Sequence, residues 1–173
     1  MIIEYFENIV KIMSEYWYTF LVAGVGKTLL LTAITVSCGA VLGVIICLGR
    51  MSRVRAFNAL ALGFGELIRG TPMLLQLYIA YFFLPKLLPF NISEFARIAM
   101  AYIVNSACYV SEVFRSGIQA VDAGQSEAAR SLGLTSWQTF MHVVLPQAIK
   151  NILPALGNEF VTITKDTSLA STF

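Results

Sequence analysis

Few residues in this 173-residue chain have the types and spacing that catalysis needs. Gly24-Val25-Gly26-Lys27-Thr28 ends like a phosphate-binding loop, but that loop requires a further glycine five positions before Gly26, where Leu21 stands. His142 is the single histidine and has no second His or Cys at ligand spacing, so a helix-end or interfacial role outweighs a metal site. Cys38, Cys47 and Cys108 sit singly in apolar stretches, which points to small core residues rather than a disulfide frame or metal ligands. No Ser, His and Asp set is present either, so the expectation is a chain that is not an enzyme and binds no metal or cofactor of its own. What remains is polar groups placed where lipid would penalise them. Asn105, Tyr109, Glu112 and Ser116 recur at helical spacing in one apolar segment, and Gln147, Asn151, Asn158, Thr162 and Lys165 share a face of another, with Asp166 following. Such side chains must face a bundle interior or a water-filled path. Together with Arg69, the candidate path set is Arg69, Asn105, Glu112, Asn151, Asn158, Lys165 and Asp166. Four of them also have a plainer reading: Arg69 as an interfacial anchor, Glu112 as the partner of Arg115, and Lys165 with Asp166 as a structural ion pair.

The elements that must carry these groups are membrane helices. Hydrophobic residues make up 57% of the chain, charged ones only 13%, and mean hydropathy is +0.73, which exceeds what a soluble core of this size needs. A formal charge of +2 with no basic stripe argues against nucleic acid as a partner. Residues 1–20 mix Glu4, Glu7, Lys11 and Glu15 with Tyr5, Phe6, Tyr16, Trp17 and Tyr18, so this segment is expected at the membrane interface and lacks the features of a cleaved signal. Leu21 to Leu48 is the first expected span, with Thr28, Thr32, Thr35, Gly39 and Gly43 forming a small-residue seam for close helix packing. Arg50, Arg53 and Arg55 follow it, and a short basic loop is retained in the cytoplasm, which places the N-terminus outside. Ala56 to Leu84 is the second span, with a kink or break expected at Arg69-Gly70-Thr71-Pro72. Residues 85–94 are polar and breaker-rich and read as an external loop. Phe95 to Phe114 is the third span, and a fourth begins near Val143.

Residues 115–146 interrupt the apolar spans with a segment that looks folded. Asp122 and Gln125 have capping-box spacing, so a short helix should begin near Ala123 and stop at Gly133, which can adopt positive φ. Thr135 and Gln138 repeat the capping-box spacing and predict a second helix carrying Trp137, Phe140 and Met141 until Leu145-Pro146 opens a new segment. The two alanines Ala128 and Ala129 leave a shallow surface for close docking beside Glu127.

Glu127-Ala128-Ala129, then Gly133, Val143, Leu145 and Pro146, resembles the signature of the permease subunits of bacterial ABC importers, with Val143 where the family has Ile. Arg69-Gly70-Thr71-Pro72 resembles a run of the subgroup that carries polar amino acids, and Lys165-Asp166-Thr167-Ser168-Leu169 resembles a run of the family. The resemblance implies an all-α integral membrane protein of the type I importer (MetI-like) fold, a single domain over residues 1–173. Four spans are expected within the chain, with a fifth expected past Phe173, so that the sequence would be cut short at its C-terminus. It further implies that Glu127, Ala128, Ala129, Gly133, Leu145 and Pro146 form the cytoplasmic loop that docks a dimer of separate ATP-hydrolysing subunits. The other implied partners are an extracytoplasmic solute-binding protein and a second permease subunit, identical or a sibling, in a bacterial inner membrane. Alternating access powered by the ATPase is the implied mechanism. The competing readings are a membrane docking or signalling subunit that conducts nothing, and a permease for another small polar solute.

Overall fold

The computed structural model describes residues 2–173, and all its regular elements are helical. Helix α1 (Ile2–Tyr18) leads through a π-helical turn (Thr19–Gly24) into α2 (Val25–Arg50). After a short turn come α3 (Arg55–Arg69), α4 (Met73–Tyr78), a π turn (Ile79–Phe83) and α5 (Leu84–Leu87). The long α6 (Glu94–Gln119) is followed by α7 (Ala123–Ser131), α8 (Ser136–Thr139), a third π turn (Phe140–Val144), α9 (Leu145–Asp166) and a closing 3-10 turn (Thr167–Thr172).

The centre of the bundle is α2 packed along α6. Thr32, Thr35, Gly39 and Gly43 of the expected seam are all buried. A Cβ added at Gly39 would lie 3.0 Å from Ser106 Cβ, and one at Gly43 would lie 3.0 Å from Val110 Cβ, so only hydrogen fits there. Small residues let two backbones approach closely where hydrocarbon offers no hydrophobic drive for association. On the other flank α9 packs on α6, with Gly117 facing Ile152. The hydroxyl of Tyr102, itself fully buried, donates to the Asp166 carbonyl at 2.5 Å and anchors the end of α9 to the middle of α6. Phe173 closes this end by packing its ring 4.9 Å from Tyr78 and 5.0 Å from Tyr81, centroid to centroid.

Breaks fall where backbone chemistry puts them. Pro72 is extended (φ −61°, ψ 139°), and the axes of the helices on either side diverge by 103°. The kink expected in the second span is therefore a sharp bend. Two π turns, Ile79–Phe83 and Phe140–Val144, each stop immediately before a Leu-Pro pair, Leu84-Pro85 and Leu145-Pro146. A proline lacks the amide that closes the i to i−4 bond and crowds the carbonyl of residue i−4; a local wider turn relieves both. Arg97 takes up the carbonyl left free by Pro85, donating to Tyr81 O at 3.0 Å.

Several expectations need correction. Leu145-Pro146 does not open a new segment, because the π turn carries the helix from α8 straight through into α9. The loop expected from residue 115 begins later, since α6 continues to Gln119. Asp122 caps α7 through the Gly124 amide at 2.7 Å rather than through a reciprocal box with Gln125. Among the described residues only Leu21–Arg50 is by itself long and apolar enough to cross a membrane, and the bent pair Arg55–Arg69 with Met73–Leu87 makes a second such unit. Helices α6 and α9 have 26 and 22 residues, more than the ~20 a span requires, but their polar stripes lower their hydropathy.

Candidate functional site: docking hairpin, charge hub and polar cavity

The α7–α8 hairpin, expected to dock a partner, is built locally. Helix α7 carries Arg130 in its last turn, where a cation meets the negative helix end. Gly133 follows at φ +89°, the one positive φ among the described residues, and its amide closes the turn onto Arg130 O at 3.0 Å. Thr135 and Gln138 then form the full reciprocal capping box that their spacing predicts. Ala129 is buried against the body of the hairpin, whereas Glu127 and Ala128 are exposed on its outer side. Of the six residues expected to dock, Glu127, Ala128, Ala129 and Gly133 lie together on this hairpin. Leu145 and Pro146 stand apart at the start of α9, where they fix the π turn that joins the hairpin to the bundle.

Next to the root of the hairpin lies a charge hub. Glu112 of α6 receives Arg50 Nη1 at 2.6 Å, Arg115 Nε at 3.2 Å and Arg69 Nη1 at 3.6 Å, with a second short contact from Arg115 Nη2. Arg69 also pairs with Glu66. Arg50 is the last residue of α2 and its side chain is only 5% exposed, while that of Glu112 is 27% exposed. One carboxylate thus ties together the ends of α2, α3 and α6. The pairing of Glu112 with Arg115 is present, joined by two more arginines from other helices.

The bend after Arg69 is stitched by Gln76. Its side-chain amide donates to the carbonyl of Thr71 at 3.1 Å and to that of Ile68 at 2.8 Å, which also accepts from the Thr71 amide at 3.2 Å and hydroxyl at 3.0 Å. Its Oε1 accepts from Asn105 Nδ2 at 3.0 Å, which fastens the bend to α6. Beside Asn105 opens a cavity of about 160 Å³ lined by Thr71, Met73, Asn105, Tyr109, Glu159, Thr162, Ile163 and Asp166. Two carboxylates, three hydroxyls and an amide converge there, donors and acceptors suited to a small polar solute or to water.

The seven candidate path residues therefore divide. Asn105 and Asp166 border the cavity, while Arg69 and Glu112 belong to the hub. Asn151 donates to Gly117 O at 3.4 Å in the α6–α9 contact. Asn158 and Lys165 are exposed on α9. Gln76, Arg50 and Glu159 were not anticipated. Gln76 is the one polar side chain between Met73 and Leu84 apart from the tyrosines, a signal that could have found it. Arg50 carried only the signal of a basic loop, and Glu159 lies one step off the stripe that drew attention to Asn158.

Comparison with known proteins agrees with this architecture. Residues 36–173 match the family model described as binding-protein-dependent transport system inner membrane component. The arginine transport system permease protein ArtQ of Bacillus subtilis is 41% identical over 152 residues, covering 88% of this chain and 69% of the relative. A putative glutamine transport system permease protein of Rickettsia bellii is 39% identical, covering 97% of this chain and 76% of the relative. A solved structure, entitled crystal structure of an amino acid ABC transporter with histidines, superposes with a TM-score of 0.87 at 44% identity, covering 92% of this chain and 74% of that one. With most of its length matched in both sequence and fold, the chain belongs to the family of binding-protein-dependent transport system inner membrane components.

Proposed function

We propose that this chain is the permease subunit of an ATP-driven importer for a polar amino acid. The observation that carries the reading is the α7–α8 hairpin, which exposes Glu127 and Ala128 together with the apolar side chains of Leu132 and Trp137 and follows α6 out of the hub that joins three helix ends. A surface of this kind suits docking, and the rigid helices behind it suit transmission. The relatives that carry arginine or glutamine in their names support an amino acid as the solute. In this reading the N-terminus lies outside and the chain crosses the membrane four times. It pairs with a second permease subunit, a dimer of separate ATPase subunits docks at Glu127 to Gly133, and an extracytoplasmic binding protein delivers the solute. ATP is held by the partner, and this chain contributes the path. The cavity beside Asn105, with Glu159, Thr162 and Asp166, is where solute groups would exchange water for protein. Alternating access then follows from the hairpins moving with the ATPases. A ligand shifts such an equilibrium only by its differential affinity for the two states, so the loaded binding protein must favour the outward-open form.

The test is ATP hydrolysis by the complex in liposomes, stimulated by binding protein loaded with arginine or glutamine. Ala128→Trp should abolish the stimulation while leaving the helical circular dichroism spectrum intact, because an indole at that surface holds the partner off the backbone. Stimulation that survives in this variant overturns the docking assignment.

A further inference from the structure

We infer that α1 lies flat on the outward-facing surface of the bilayer, with Thr19–Gly24 as the joint between this surface helix and the α2 span. The outward side rests on the orientation proposed above; the lipid contact does not. At ~100° per residue the helix separates into two faces, with only Tyr18 at its end falling among the polar residues. Glu4, Glu7, Asn8, Lys11, Ser14 and Glu15 fall on one side, and the other side is entirely aliphatic and aromatic, a segregation far sharper than a buried core helix needs. From Glu4 to Thr19 every residue is exposed, including the apolar Ile9 (46%), Met13 (56%) and Trp17 (53%). This face must be covered by something.

Three observations favour lipid as the cover. First, the helix from Leu21 to Arg50 has 30 residues. At 1.5 Å each that is ~45 Å, against ~30 Å of hydrocarbon, so α1 starts at or above the outer headgroups. Second, the apolar face is rich in Tyr5, Tyr16 and Trp17, the residue types that settle at the headgroup boundary. Third, the polar face carries three glutamates against one lysine, a balance that disfavours the anionic cytoplasmic surface and is tolerated on the opposite one. The π turn, which ends at Gly24 and is followed by Gly26, interrupts the regular ladder at the point where a flat helix must turn into a perpendicular one.

The experiment uses the full chain with Trp137→Phe, so that Trp17 is the only tryptophan, in phosphatidylcholine vesicles. Acyl chains brominated close to the headgroup should quench Trp17 strongly, and aqueous iodide should quench it several-fold less than in detergent-free urea. Iodide quenching without bromolipid quenching places the helix in water and overturns the inference. Protection from both quenchers means that protein covers the face, and overturns it equally. The double change Ile9→Glu and Met13→Glu should exchange bromolipid quenching for iodide quenching, and an unchanged pattern shows that the apolar face is not what holds the helix. Sidedness is read separately: a membrane-impermeant maleimide should label Ser14→Cys in intact spheroplasts, while labelling only after lysis overturns the outward placement and leaves the lipid contact standing or falling on the quenching result.

Discussion

Glu112→Gln tests the charge hub most directly. The substitution preserves shape and one hydrogen bond to Arg115 but removes the charge that Arg50 faces at 2.6 Å. Arg69 and Arg115 are 19% and 29% exposed and can turn toward water, so their loss counts for little. The side chain of Arg50, 5% exposed, cannot. Leaving one buried charge without its partner costs 3–5 kcal/mol, and partial exposure of Glu112 puts this case at the low end, about 3 kcal/mol. That is about two decades in the folding equilibrium. Arg50→Met alone leaves Glu112 with two arginines and should cost about 1 kcal/mol. The informative variant carries both changes: with no orphaned charge it should also lose only about 1 kcal/mol, and so be more stable than Glu112→Gln by about 2 kcal/mol. The assay is unfolding by SDS in mixed micelles, followed by circular dichroism. If adding Arg50→Met to Glu112→Gln lowers the midpoint further, the cost does not arise from a stranded Arg50 and the reasoning fails.

Gly43→Leu should push α2 off α6, because even a Cβ there meets Val110 at 3.0 Å; a loss of about 1–3 kcal/mol is expected and would show as a lower thermal midpoint of the purified complex, whereas Gly63→Leu, in open space, should leave the midpoint in place. Asn105→Leu strands the Gln76 carbonyl oxygen at the bend and should cost about 1–3 kcal/mol, while adding Gln76→Leu should recover little, since the Thr71 carbonyl then loses its donor as well, the Ile68 carbonyl keeping the Thr71 amide and hydroxyl; recovery in the double variant would show that the amide does not stitch the break.

Local chemistry was legible in the sequence. Pro72 breaks its helix because it fixes its own backbone, Gly133 ends α7 because it alone accepts φ +89°, and Thr135 with Gln138 form the box that their spacing requires. The seam from Thr32 to Gly43 was readable for the same reason, since helical periodicity says which residues share a face. Partners across the bundle were not readable. Arg50 belongs by sequence to a basic loop, and only the packing of α2 on α6 brings it to Glu112. Leu145-Pro146 misled because the rule that a proline starts or ends a helix omits the alternative of a widened turn, which the structure uses twice.

The seam between α2 and α6 also has a mechanical meaning. The buried hydroxyls of Thr32 and Thr35 make no hydrogen bond to α6, and among the described residues the only polar tie between the two helices is Arg50 with Glu112. The pair is pinned at the Arg50 end and smooth along the rest of its length, like a hinged rod in a groove. From Arg50 to Thr32 the lever is ~27 Å at 1.5 Å per residue. A tilt of about 10° at the pin would therefore displace the far end by about 5 Å, roughly one helical turn of rise, without breaking a hydrogen bond along the shaft. Small movements at the pinned end would emerge magnified at the far end of the bundle.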